Sequence, residues 1–174
     1  EYGADDAFPI SDIDDIVPGL LEGRSRVYGN MGADFTFDQR LFGWINQVRA
    51  GRSAGPPGEY VALQPLLHEM RLSKSRGELT TMRRAAQISH DAHCEAMRQV
   101  RPGMAEYELE ALFQHRFRAH NGWPAYPPIV GGGANACTLH YITNDALLCH
   151  GDLVLIDAGV ELGNYASDIT RTFP

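Results

Sequence analysis

The sequence predicts an α+β chain in which the closing part of an α/β domain is followed by two helices and then a run of strands. Three observations carry that expectation. Short helical and extended patterns alternate from Glu1 to about Leu67. A helix-capping signature opens a long helical stretch at Ser75. From Trp123 onward the texture changes to Pro, Gly and β-branched residues, the vocabulary of strands and turns. The expected domains are residues 1–70, the end of a first domain with its linker, and residues 71–174, part of a second.

Taken in order, Ser11 or Asp12 offers an oxygen to cap a helix through Ile13, Ile16, Leu20 and Leu21, closed by Gly23 and bent or shortened by Pro18. Ser25 to Tyr28 is a short strand candidate. Asp38 is placed to cap a second helix whose Leu41, Phe42, Ile45 and Val48 form one stripe, ending near Gly51. The Gly/Pro/Ser run from Gly51 to Gly58 reads as a loop, and a domain boundary falls between Gln64 and Ser75. Ser75-Arg76-Gly77-Glu78 fits the reciprocal capping box of a helix running to about Val100, where Arg101-Pro102-Gly103 stops it. Leu109, Leu112, Phe113 and Phe117 mark the next helix, ended by Asn121-Gly122.

Composition excludes several classes. The chain has 174 residues, 44% hydrophobic and 21% charged, enough apolar content for a packed core. Fifteen Lys and Arg against 22 Asp and Glu give a net charge of −7, the wrong balance for a nucleic-acid partner. No run approaches the ~18 apolar residues of a membrane span, so no membrane partner is expected. Cys94, Cys137 and Cys149 are odd in number and sparse, which reads as free thiols in a reducing, cytoplasmic setting. The chain opens Glu1-Tyr2-Gly3-Ala4 without Met, and is expected to be a piece of something longer. A zinc site of Cys137, His140, Cys149 and His150 matches no finger or ribbon spacing. His90 and His93, three apart on a helix, lack a carboxylate at ligand spacing and read as a solvated or interhelical face.

The chemistry concentrates in the last 25 or so residues. Asp152-Leu-Val-Leu-Ile-Asp157 is a strand that ends an apolar run on a carboxylate. Glu161-Leu162-Gly163-Asn164 is a turn candidate, and the chain then extends again from Tyr165 with Asp168 inside it. A two-residue loop at Leu162-Gly163 would set Asp157 directly opposite Asp168, Cα atoms about 4.5–5.5 Å apart on one face. Two like charges so placed repel and lose hydration. A shared proton, a guanidinium or bound cations would relieve them. Arg171, three residues from Asp168, points to the other face of a strand. A pair of divalent cations ~3.5–4 Å apart is the economical answer.

The string from Gly151 to Pro174, with Asp157 and Asp168, resembles the metal-binding hairpin of the Xaa-Pro aminopeptidases (aminopeptidase P). Asn135-Ala-Cys-Thr-Leu-His140-Tyr141 is similar to the segment carrying that family's substrate-site histidine. His68-Glu-Met-Arg-Leu-Ser-Lys-Ser75 resembles the linker into its catalytic domain, and Glu1-Tyr-Gly-Ala-Asp-Asp-Ala-Phe8 its N-terminal domain. The resemblance implies a pita-bread catalytic domain, of which residues 71–174 would be the first half. It implies two divalent ions, usually manganese, held by two Asp, one His and two Glu. Asp157 and Asp168 match the two Asp, and His140 the histidine that binds substrate and stabilises the transition state. The remaining His and both Glu are expected beyond Pro174, since Glu161, His115 and His120 offer no substitute.

The implied reaction is removal of the N-terminal residue from peptides with proline second, by a water activated between the two metals. The piece alone is then expected to be inactive, and the full-length protein to be a dimer or tetramer. A dipeptide-cutting prolidase is the nearest alternative. A metal-free pita-bread peptide-binding module is the alternative outside catalysis. Methionine aminopeptidase is disfavoured by the upstream α/β segment, and creatinase, which lacks the metal, by the presence of both Asp.

Overall fold

Two four-residue strands, far apart in sequence, organise the start of the chain: β1 (Arg26–Gly29) lies parallel to β2 (Glu59–Ala62), with Arg26 opposite Glu59. The computed structural model describes residues 3–51 and 54–174. Glu1 and Tyr2 of the opening string, and Arg52 and Ser53 of the expected loop, lie outside the described residues. The chain divides into two compact units, Glu1–Ser73 and Lys74–Pro174.

In the first unit α1 (Ile13–Leu21) follows a 3-10 turn at Ile10–Asp12 and carries Pro18 within it. Asp12 occupies the cap position without a side-chain cap bond; Ser11 Oγ donates to its Oδ1 at 2.7 Å instead. The second helix, α2 (Phe35–Ala50), starts earlier than expected because Asp34 accepts from Phe37 N at 3.0 Å. Asp38 sits in its first turn and accepts from Gly32 N at 2.7 Å. Trp44, not Phe42, completes the buried stripe with Leu41, Ile45 and Val48, and these pack on Leu21. Asp14 holds that stripe in place by accepting from Trp44 Nε1 at 2.8 Å and Arg40 at 2.9 Å. Where a linker was expected, Leu63–Leu72 forms a further helix, α3, with no buried residue.

In the second unit α4 (Arg76–Gln99) opens on the expected capping box: Ser75 Oγ accepts from Glu78 N at 3.3 Å, and Glu78 Oε2 from Ser75 N at 2.6 Å. In α5 (Glu106–Ala119), Glu108 reaches back to Ala105 N at 2.7 Å, although alanine has no side chain to return the bond. Ala85, Ile88, Ala92 and Ala96 of α4 meet Leu109, Phe113 and Phe117 of α5 over Val130, Val154, Ile156, Ala158 and Val160. The alanines let α4 approach closely, and this layer is the core beneath the site.

Two three-stranded sheets cover the helices. One has the order β4 (Ile129–Gly132), β5 (Val154–Ala158), β8 (Ile169–Phe173), and the other β3 (Trp123–Pro124), β6 (Val160–Leu162), β7 (Tyr165–Ala166). A single ribbon serves both sheets. Its turn is Gly163-Asn164, both residues at positive φ (56° and 67°), as a type I′ turn demands. Leucine would be strained at such an angle, so Leu162 stays in β6 opposite Tyr165 and the register differs from a Leu162-Gly163 loop. Asp157 therefore faces Thr170, while Asp168 lies diagonal to it, just ahead of β8. The ribbon passes from one sheet to the other at Gly159, where an added Cβ would sit 1.7 Å from Ser167 O. Only glycine permits that crossing.

Candidate metal centre

Diagonal placement does not separate the two carboxylates. Tyr126, in the loop between β3 and β4, aims its hydroxyl at both: 2.5 Å to Asp157 Oδ1 and 2.9 Å to Asp168 Oδ1. Those oxygens lie within two hydrogen-bond lengths of each other. Burial, then the bonds to Asp157 and Asp168 and their charges, push the Tyr126 hydroxyl far above the ordinary phenol value. It stays protonated and serves as a donor. Asp157 is half-buried and Asp168 exposed, so one carboxylate is anchored in the sheet and the other faces open space.

His140 belongs to the same cleft. A cavity of about 320 Å³ is lined by Tyr126, Pro127, Ile129, His140, Ile142, Asp157 and Asp168. His140 follows the 3-10 turn Gly133–Cys137 and has φ 54°, an uncommon backbone state for a residue other than glycine. The three residues singled out from sequence thus share one concave surface. Sequence reasoning missed Tyr126, since nothing in the run Trp123-Pro-Ala-Tyr126-Pro-Pro marks a phenol that bridges two distant carboxylates.

The donor set fits part of a divalent-cation site. Tyr126 brings a single proton to two acceptors and no positive charge, so the repulsion between the carboxylates persists until a cation balances it. Hard oxygen donors suit Mg, Ca or Mn. The fit is partial, because no group of three or more His, Cys, Asp or Glu comes together at ligand spacing among the described residues. The zinc grouping of Cys137, His140, Cys149 and His150 accordingly does not form. His90 and His93 do not converge on a ligand either: His93 is buried and bonds Ile169 O through Nε2 at 3.0 Å, and His90 lies exposed beside Cys94. Cys94, Cys137 and Cys149 are free thiols.

Residues 80–174 match metallopeptidase family M24. The chain belongs to that family. Its M24 segment begins within α4 and contains the whole Tyr126, His140, Asp157 and Asp168 cleft. The chain is 42% identical over 177 residues to the Xaa-Pro aminopeptidase of Escherichia coli (strain K12), covering 100% of this chain and 40% of that protein. It is 42% identical over 118 residues to the human Xaa-Pro dipeptidase, covering 64% of this chain and 24% of the relative. Among solved structures, aminopeptidase PepP of Pseudomonas aeruginosa matches with a TM-score of 0.93 at 57% identity, over 99% of this chain and 40% of that one. This M24 chain therefore has the aminopeptidase P fold, the pita-bread architecture of its α+β class, and spans about 40% of the length of the relatives it matches. No helix among the described residues is long and apolar enough to cross a membrane.

Proposed function

We propose that this chain supplies the first part of the active site of a metal-dependent Xaa-Pro aminopeptidase, which removes the N-terminal residue from peptides with proline in second position. The observation that carries the reading is the convergence of Asp157 and Asp168 on one tyrosine hydroxyl in the cleft that also contains His140. Membership of a metallopeptidase family and the likeness to Xaa-Pro aminopeptidases support it. On this reading residues 1–70 close an N-terminal domain and 71–174 form the first half of the metallopeptidase domain. One His and two Glu from sequence following Pro174 complete the ligand set.

Asp157 and Asp168 would hold two divalent cations, with Mn(II) chosen on resemblance. When bound, the pair supplies a water made acidic enough to attack a carbonyl near neutral pH. The chain's own residues do the rest. Tyr126 keeps its proton and fixes the rotamers of both carboxylates, so that their free oxygens face the cleft. His140 donates a ring N–H to the scissile carbonyl oxygen as that oxygen gains charge. Ile129, Pro127 and Ile142 offer apolar wall where an N-terminal side chain or a proline ring can exclude water. The substrates are peptides with N-terminal Xaa-Pro, and the working protein is a cytoplasmic dimer or tetramer.

The test is hydrolysis of an Xaa-Pro tripeptide, an Xaa-Pro dipeptide and a Met-Ala tripeptide by the full-length protein, with Mn(II) and with chelator. Chelator-sensitive cleavage before proline in the tripeptide is the expected result. Cleavage confined to the dipeptide would replace the aminopeptidase with a prolidase, the reading favoured by the likeness to the human Xaa-Pro dipeptidase. Peptide binding without cleavage or metal would leave the binding module.

A further inference from the structure

One carboxylate in the second unit is fully buried, and none of the chemistry above uses it. Glu106, at the start of α5, has 0% exposure. An isolated buried carboxylate is costly, so its partners are informative. Its Oε1 accepts from Gly132 N at 2.8 Å and Asn135 Nδ2 at 3.1 Å. Its Oε2 accepts from Tyr141 OH at 2.8 Å and Ala146 N at 3.1 Å. Burial raises the Glu106 carboxyl pKa, but these four bonds outweigh it and hold the group below the ordinary carboxylate range, hence ionised.

All four donors lie in one segment, Gly132 to Ala146, and that segment contains His140. One turn further along α5, Glu110 Oε2 accepts from Asn144 Nδ2 at 2.9 Å. Asn144 is itself buried and ties back to Val130 N at 3.0 Å and Pro128 O at 2.9 Å. The stretch contains two non-glycine residues at positive φ, His140 at 54° and Asn144 at 48°. Such backbone states persist only where the surroundings over-determine them. Here the surroundings are the acidic face of α5. Tyr141, the neighbour of His140, is the link nearest the cleft, because its hydroxyl donates to Glu106 and accepts from Asn135 Nδ2 at 3.1 Å.

We propose that Glu106 is a positioning residue for the reaction: through Tyr141, Asn135 and the backbone of Gly132 and Ala146, its carboxylate fixes the loop that sets His140 in the cleft with Asp157 and Asp168. The inference rests on the reading of His140 as the donor to the developing oxyanion. A carboxylate that merely stabilised the domain would set the thermal midpoint and leave the kcat of the folded enzyme unchanged. One that acts through His140 lowers kcat and spares substrate binding.

The experiment is a double-mutant cycle in the full-length enzyme with an Xaa-Pro tripeptide, using His140→Ala, Tyr141→Phe and Glu106→Gln, singly and combined with His140→Ala. Thermal midpoints and bound metal are measured on each variant. Tyr141→Phe keeps the ring and deletes only the hydroxyl, so the test survives if Glu106→Gln fails to fold. Tyr141→Phe is expected to lower kcat about tenfold, the scale of one hydrogen bond to a charged group, with KM and metal content unchanged. In the His140→Ala background it is expected to cost no more than about twofold, because the group it positions is gone. Full additivity of the two losses, or an unchanged kcat in Tyr141→Phe beside a lowered one in His140→Ala, overturns the inference and leaves His140 in its role. An unchanged kcat in His140→Ala overturns that role and the inference with it.

Discussion

Tyr126 holds one proton between two carboxylate oxygens that would otherwise face each other with nothing but charge. A phenylalanine there keeps the ring and removes the shared donor, so each carboxylate regains rotamer freedom and the pair splays. Groups that orient metal ligands without touching the metal are typically worth about 10–100-fold in affinity or activity. Tyr126→Phe in the full-length protein is therefore expected to weaken Mn(II) binding by about that factor, read by competition with a metallochromic chelator. Unchanged affinity would reduce Tyr126 to a cleft wall. At this scale the sequence was legible where chemistry is written in residue type and local string. Asp157, Asp168 and His140 could be picked out and do share one cleft. Tyr126 could not, because its contact with Asp157 spans 31 positions and exists only once β3 and β4 are folded beside the ribbon.

Elements place those residues, and the ribbon is where a small misreading matters. The order strand, tight turn, strand was legible from alternation and from the Gly163 region. The register was not, because it depends on which two residues take positive φ, and glycine followed by asparagine fills both places. The helix capping at Ser75 was readable because both halves of the box lie within four residues. Helix α3 was hidden, since a short stretch that buries nothing reads like a linker. The same capping residue reaches beyond its own helix: Glu78 Oε1 accepts from Tyr165 OH at 2.7 Å, tying the start of α4 to the ribbon. That bond first, and then those to Ser75, lower the Glu78 carboxyl from 4.5 to about 2. A carboxyl with a lower pKa folded than unfolded contributes its full stability above its unfolded value and loses it as pH falls through the folded one. The stability difference between wild type and Glu78→Gln is expected to be constant above pH 4.5 and to shrink as pH falls toward about 2, measured by urea titration. Tyr165→Phe should narrow that window from below. A difference that stays flat with pH would mean the tie does not hold in solution.

Across the whole molecule the decisive quantity is how much of a metal site this chain contains. Two carboxylates converge, and no third ligand joins them among the described residues. Cation affinity rises steeply with each charged ligand held in place, and a site that holds little metal activates little water. If the missing His and two Glu follow Pro174, the 174-residue chain by itself should bind Mn(II) far more weakly than the full-length protein and cleave no Xaa-Pro tripeptide. On the proposed reading, apolar side chains near the cleft are covered in the full-length protein. Leu139, beside His140, is 91% exposed, and Ile142, Leu147 and Leu153 also stand largely in the open. The measurement is paired: calorimetric Mn(II) titration and tripeptide hydrolysis, on the isolated chain and on the full-length protein, with chelator as control. Metal binding of equal strength in both, or any chelator-sensitive turnover by the isolated chain, would mean that Asp157, Asp168 and His140 need no further ligands. The site would then have to be rebuilt from the residues of this cleft alone, with Tyr126 moved from donor to ligand.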